Sequence, residues 1–551
     1  MTDLFAAAAP CQFALPIIGQ TSARDVSIEQ VGNKAYNLMR MSEGGLAVPP
    51  AFVLTTDYCC SYEGRGRQLA PRVEASLRCG VAILEQATNR HFGGSRRPLL
   101  VSVRSGAAVS MPGMLHTILN IGLNDVTVPG LLRATGDPTF VWDTYRRFIQ
   151  TYAEVVDGCR PDPFEAEIAE ALARDAVPAI DELDVAARRT VVRRLQDVYY
   201  SLTHHPFPQD PIDQLTHAIE SVLQSWSAPR AVDYRRLAGL DDRAGTAVTV
   251  QTMVFGNMGM NSGSGVGFTR DPATGEDRLY LDFLLDAQGE DIVAGRHAAD
   301  ESDELIAAVP GLARRLQHVR NRLEALFHDA QDFEFTVEDG ALWMLQTRDA
   351  KRTPLAALRI ACDLVEEGLI DANTAVQRLD EYDLDTISTT YLDTNLAPIG
   401  RGIPAGNGVA TGPAALSVAT AQRLASRGNA VILLRDNATT DDITGLAVCA
   451  GLVTIHGSRT SHAAVVARQL NVVSVVGCRD LSIQTSRERA RFGDHEIAEG
   501  DVITIDGNRG LVFEGQIPAR IERPTTLIER VRSWQTSEAT GQPEIGTTPR
   551  S

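Results

Sequence analysis

A histidine set just inside a helix, after a strand and a turn of small residues, is an arrangement that can carry a phosphoryl group. Residues 454–468 spell such a segment: Thr-Ile-His-Gly-Ser-Arg-Thr-Ser-His-Ala-Ala-Val-Val-Ala-Arg. A strand ends near Ile455, glycine and serine turn the chain, Thr460 or Ser461 caps the next helix, and His462 falls in its first turn. Free amides and the helix dipole favour an anion at that end. A neutral imidazole, well populated near neutral pH for a reference pKa of about 6.5, is a competent nucleophile. A surface histidine near a helix end has the same local pattern, so the motif alone leaves both readings open.

Other residues could handle phosphate and metal. In residues 102–114 (SVRSGAAVSMPGM) a strand delivers Arg104 into a small-residue loop whose amides can close over phosphates, although a plain turn fits as well. Alternation in the 332–348 hairpin puts Asp332 and Glu334 on one face and Phe333, Phe335 and Val337 on the other. On the return strand Gln346 and Arg348 share a face, after a turn at Asp339-Gly340. Neighbouring carboxylates repel, and a cation above them relieves this. The set suits a magnesium-nucleotide, with a solvated sheet face as the plain alternative. Lys34 stands out differently: with Lys351 it is one of two lysines among 52 basic residues. Codon bias explains the excess of arginine, but a lysine kept against that bias marks a need for a compact, flexible ammonium.

The elements that must position these groups are mixed, which predicts an α/β and α+β multidomain chain. Strands are expected at Leu99–Val103 and Ala247–Phe255, with a glycine-rich stretch at Gly256–Gly267. Residues 140–240 read as helical, notably Tyr145–Ile149 and 211–226, and so do residues 354–380. Pro398, Gly400, Gly402 and Pro404 mark 381–405 as a linker. A compact unit at 406–515 carries strands at 430–434, 451–455 and 472–476 and a hairpin at 502–513. The tail, 516–551, holds a short helix with a capping box at Thr526–Glu529 and a Thr/Ser/Gly/Pro-rich end expected to be disordered.

The chain has 551 residues and a net charge of −18, which disfavours nucleic acid and anionic membranes as partners. Its 8 cysteines show no C-x-x-C pair, so neither a disulfide framework nor a zinc site is expected, and a reducing cytoplasm fits. No apolar run reaches the length of a membrane span, and the first residues lack the basic region of a signal peptide.

Taken together, the segments resemble the pyruvate, phosphate dikinase family. The resemblance rests on Val31–Leu38 (VGNKAYNL) with Val48–Phe52 (VPPAF), Val101–Asp125, Pro206–Asp210 (PFPQD), Val250–Gly275, Ala287–Gly295, Gln331–Thr353 and the TSHAAVVAR segment, in order from about residue 28 to 515. It implies an ATP-grasp nucleotide-binding region over 1–350 with a helical insertion at about 140–240. A helical segment and hinge linker at 351–405 would lead to a swivelling β/β/α phosphohistidine domain at 406–515. By position, Lys34, Arg104 and Arg348 would hold ATP phosphates, Ser110, Met111, Pro112 and Gly113 would cover them, and Arg147 would assist. Glu290, Glu334 and Gln346 would organise Mg²⁺ and nucleotide, with Asp332 close by. His462 would accept a pyrophosphoryl group from ATP; inorganic phosphate would remove its terminal phosphoryl, leaving AMP, pyrophosphate and phosphohistidine. Thr460 stands where some relatives are regulated by phosphorylation, with helix capping as the simpler reading.

Departures from the family pattern are Ala108 in place of a second arginine, and His456 and Ser458 before the histidine. The family's pyruvate- or phosphoenolpyruvate-binding barrel is not found after residue 515, so the expected acceptor site is a separate barrel subunit. Transfer to another small molecule or a carrier protein, or a non-catalytic ATP-binding regulator, are the competing readings.

Overall fold

The structure, a computed structural model, describes residues 14–19, 26–62, 71–109, 111, 116–237, 239–241, 244–289, 309, 311–437, 443–457, 461–484 and 488–540. It divides into two compact units: residues up to Met258 with Trp343–Gln346, and Gly259–Leu342 with everything from Thr347 onward.

The first unit is built on a five-stranded antiparallel sheet, ordered Ala14–Ile17, Ala51–Leu54, Ala247–Thr252, Val101–Gly106, Thr117–Ile121. The strand expected at Ala247–Phe255 ends at Thr252. Its six residues are buried throughout, as befits a central strand covered on both faces. The helical stretch runs from Val128 to Leu237, a little wider than expected. Aspartates start three of its helices: Asp137, Asp184 and Asp210 accept from the amides of Phe140 (3.0 Å), Ala187 (2.7 Å) and Ile212 (2.7 Å). The PFPQD segment proves structural. Asp210 is one of these caps, Gln209 accepts from the Asp125 amide at 3.0 Å, and Phe207 is ringed edge-on by Tyr145, Phe148, Tyr152 and Tyr199.

The second unit opens with a four-stranded sheet, ordered Ala341–Asp349, Gln331–Glu338, Gly263–Phe268, Tyr280–Leu285. The glycines at 263, 265 and 267 give aromatic rings their seat: a Cβ at 265 would lie 2.1 Å from the Phe335 ring. Asp339 and Gly340 both have positive φ, as a tight hairpin turn demands. Helices Pro354–Glu366 and Ala372–Leu379 follow and pack with Thr525–Thr540, a helix of 16 residues where the sequence predicts a short one. Residues 541–551, expected to be disordered, lie outside the described residues.

The stretch read as a linker carries short strands. Thr389–Leu392 pairs with Ala519–Glu522, Gly400–Arg401 with the 511–514 strand, and Ile403–Gly406 with the 473–476 strand. Beyond it an eight-stranded sheet has Val409–Ala415, Ile432–Arg435, Gly451–Thr454 and Val473–Val476 as parallel neighbours at its centre. One face packs on helices through Leu433, Leu452, Val466 and Ala467. The other packs on a three-stranded sheet through Ile432, Val453, Val475 and Phe492. The layers are therefore β/β/α.

Among the described residues no helix is long and apolar enough to cross a membrane. Cys159, Cys362, Cys449 and Cys478 are free thiols, whereas Cys79 is disulfide-bonded, a departure from the reduced thiols expected.

Candidate nucleotide and phosphohistidine site

In the first unit, Lys34 is placed by a break in its own helix. Ile28–Glu43 begins with a capping box at Ser27 and Gln30, then leaves helical geometry at Gly32 (φ 73°, ψ 158°). There the chain lies against the end of strand Val101–Gly106: the Asn33 amide donates to the Ala107 carbonyl at 2.9 Å, and a Cβ on Gly32 would sit 2.0 Å from the Gly106 oxygen. Lys34 follows, half-buried. Arg104, on that strand, donates from Nη1 to the Leu345 carbonyl at 3.1 Å, beside Gln346. The Met344 amide in turn donates to Ala47 O at 2.8 Å. The fold thus brings the backbone next to Lys34 to the strand of Arg104, and Arg104 to the backbone next to Gln346.

Arg147 lies on helix Pro138–Val155, where Arg146 (2.6 Å) and Arg147 (2.8 Å) both pair with Asp143. Burial pushes the Asp143 carboxyl up, but the two guanidiniums outweigh it and hold its pKa below the ordinary value. Met111 is buried. Ser110, Pro112, Gly113 and Glu290 lie outside the described residues.

In the second unit, Asp332 and Arg348 meet across the hairpin, Nε to Oδ2 at 2.7 Å. Asp332 is only 3% exposed, whereas Glu334, Gln346 and Arg348 are half-buried. Burial raises the Asp332 pKa against the pull of Arg348, the charge of Glu334 raises it further, and that of Arg468 lowers it. Arg348 is opposed by burial yet held raised by Asp332. Glu334 is half-buried beside them.

His462 stands at the carboxyl end of the parallel strands. Strand Gly451–Thr454 is buried throughout, and the turn after it is tied down by Thr454 Oγ1 donating to the His456 carbonyl (2.7 Å) and the His456 amide to the Asp436 carbonyl (3.0 Å). Ser461 is the N-cap of helix His462–Gln469 and accepts from the Ala464 amide at 3.4 Å. His462 is therefore the first helical residue, among the amides that a helix leaves free. Of the two capping candidates the structure uses Ser461; Ser458 and Thr460 lie outside the described residues.

The sequence reading passed over Arg468 on the same helix, which is 2% exposed. Its spacing was a readable signal: it lies four residues beyond Ala464 and seven beyond Ser461, on a buried stripe.

Comparison with known proteins bears on both halves. Residues 28–307 match the family described as pyruvate phosphate dikinase, AMP/ATP-binding domain, and residues 428–510 match the mobile domain of PEP-utilising enzymes. The class is thus a nucleotide-binding region joined to a mobile domain. Similar curated proteins are the pyruvate, phosphate dikinase of Clostridium symbiosum, 40% identical over 94% of this chain and 59% of its own, and that of Rhizobium meliloti, 42% identical over 91% and 57%. A chloroplastic pyruvate, phosphate dikinase of Mesembryanthemum crystallinum is 38% identical over 92% of this chain and 53% of its own. The chain belongs to the pyruvate, phosphate dikinase family and spans between half and three fifths of the length of these relatives.

Proposed function

We propose that this chain uses ATP to phosphorylate its own His462 and hands the phosphoryl group to an acceptor. An imidazole nitrogen of His462 attacks the β-phosphorus, the bond to the bridging oxygen of the α-phosphate breaks, and AMP leaves. An oxygen of inorganic phosphate then attacks the terminal phosphorus of the pyrophosphohistidine, releasing pyrophosphate and leaving phosphohistidine. Such transfers depend mainly on positioning and charge neutralisation. Lys34, Arg104 and Arg348 supply cations for the triphosphate, with Arg147 assisting, and the Ser110–Gly113 loop covers it, with Glu290 on the nucleotide.

Mg²⁺ is proposed to bind through Glu334 and the Gln346 side-chain oxygen, completed by the substrate's phosphates. Among the described residues no cluster of three His, Cys, Asp or Glu suits a metal. That fits, because nucleotide-bound Mg²⁺ needs only one or two protein carboxylates. When bound, the ion neutralises phosphate charge. The acceptor is proposed to be pyruvate, held by a barrel on a separate subunit, and the setting is proposed to be cytoplasmic.

The observation carrying this reading is His462 as first residue of a helix in the same compact unit as the Asp332–Arg348 pair. The test is transfer from ATP labelled at the β-phosphate, with Mg²⁺ and with or without phosphate. Acid-labile label on the native chain and none on His462→Ala, with phosphate-dependent pyrophosphate release, is expected. Phosphate-independent turnover would make water the receiver of the γ-phosphoryl. No label on the native chain despite ATP binding would sink the reading in favour of an ATP-binding regulator. Adding pyruvate and a barrel subunit to the labelled chain tests the acceptor: label must move into phosphoenolpyruvate.

A further inference from the structure

Arg468 sits six residues, about 9 Å along the axis, beyond His462. A guanidinium this deeply buried needs strong compensation, and its partners come from two directions. From its own domain, the carbonyl of Ala405 in strand Ile403–Gly406 accepts from Nη1 at 3.0 Å. From the four-stranded sheet, the Phe268 ring presents its face 5.4 Å away. Burial works against its charge, while Tyr280, Asp332, Asp271 and Asp282 favour it. Neighbouring contacts make the same junction: Tyr280 donates to the Pro404 carbonyl at 3.3 Å, and the Asn407 amide group to the Ala273 carbonyl at 2.6 Å.

We propose that Arg468 is a positioning residue, seating the His462 helix on the nucleotide sheet against Phe268, the strand partner of the Asp332 that holds Arg348. This rests on the proposed carrier role of His462. The seat and the Arg348 pair lie at one register of adjacent strands, so nucleotide held at Arg348 and the seated helix favour each other, and by linkage the effect is reciprocal.

The test uses the full chain with Arg468→Gln, Arg468→Lys and Tyr280→Phe. Single-turnover labelling of His462 at saturating ATP reads positioning, ATP titration reads the nucleotide site, and hydrogen exchange over residues 403–408 and 464–470, with and without a non-hydrolysable ATP analogue, reads seating. Arg468→Gln is expected to label about tenfold to a hundredfold more slowly, the scale of a misplaced reactive group. Its ATP affinity should fall several-fold less than its rate, and the protection that the analogue induces in the native chain should vanish. Arg468→Lys should recover part of the rate, and Tyr280→Phe should show a milder loss. Wild-type labelling by Arg468→Gln, or exchange in the native chain that ignores nucleotide, would overturn the proposal. So would equal losses of rate, ATP affinity and melting temperature in both Arg468 variants, the mark of a purely structural role. If Arg468→Gln does not fold, Arg468→Lys and Tyr280→Phe decide by the same readouts. If the native chain takes no label, the proposed function fails, while the exchange experiment still judges the seat.

Discussion

Replacing Gly32 with alanine tests whether the close approach beneath Lys34 is what builds the proposed phosphate site. At φ 73° and ψ 158° the residue occupies a region that is essentially glycine's alone, and holding alanine there costs about 1–3 kcal/mol. The added Cβ would also lie 2.0 Å from the Gly106 oxygen and 2.4 Å from its carbon, where real contacts stay beyond 3.0 Å. Both atoms are backbone, so the helix start must retreat from strand Val101–Gly106 by about 1 Å, an overpacking cost of about 1–3 kcal/mol. Expressed at the site, about 2–6 kcal/mol corresponds to a loss of ATP affinity from about thirtyfold to about ten-thousandfold or more. Gly136→Ala is the control: its φ is also positive, at 69°, but nothing lies within 4 Å of its Cβ position. That variant should lose about 1–2 kcal/mol of stability and bind ATP normally. ATP titration and urea unfolding on both variants give the comparison. Normal ATP affinity in Gly32→Ala, or the same stability loss in both, would refute the argument.

Three other perturbations probe separate parts of the frame. Ser461→Ala removes the cap in front of His462, so it should lower stability by about 1 kcal/mol and slow labelling of His462; unchanged labelling would mean the helix start is set by other contacts. Asp143→Asn leaves Arg146 and Arg147 facing each other with little solvent, and should cost about 2–4 kcal/mol in urea unfolding, discounted from a fully buried pair for partial exposure. Because the Asp143 carboxyl is held below its ordinary 3.8, its contribution is present above that pH and disappears as pH falls through the lower folded-state value. Native and Asp143→Asn unfolding curves should converge in that acid range. Phe207→Ala, emptying the centre of four aromatic rings, should cost about 3–5 kcal/mol while leaving the His462 helix intact by hydrogen exchange.

Local signals served the sequence reading where each element's chemistry is local. The 332–348 hairpin was legible because alternation and an Asp-Gly turn act over a few residues, and the His462 helix because a serine cap and an apolar stripe announce it. Burial of the Asp332 face was not legible: alternation says which residues share a face, not what covers it. The stretch 381–405 read as a linker because proline and glycine weaken local preference, yet Thr389–Leu392 finds its partner in Ala519–Glu522, more than a hundred residues away. Tertiary pairing overrides propensity in such places. Arg468 escaped for a related reason. A positive charge reads as solvent-exposed unless its place on the helix is counted, and the ring that faces it, Phe268, lies two hundred residues earlier.

The arginine excess has a structural counterpart in the second unit. Arg270, with no exposed side-chain surface, holds Glu324 through Nε (3.0 Å) and Nη2 (2.9 Å) and reaches Glu367 at 2.6 Å. Arg352 clasps both oxygens of Asp329, at 2.5 and 2.8 Å. A planar fork can satisfy two acceptors in a dry site with one charge, which a lysine ammonium on its flexible stem does less well. Whatever sets the number of arginines, these positions would select arginine. Lys34 is the converse, a half-buried cation beside a backbone break that only glycine permits, where the proposed phosphate role calls for a compact, mobile charge. On this argument Lys34→Arg at the proposed phosphate site and Arg352→Lys at the Asp329 clasp are not conservative changes, and each should fail for the opposite reason: one cation too rigid, the other too poor in donors.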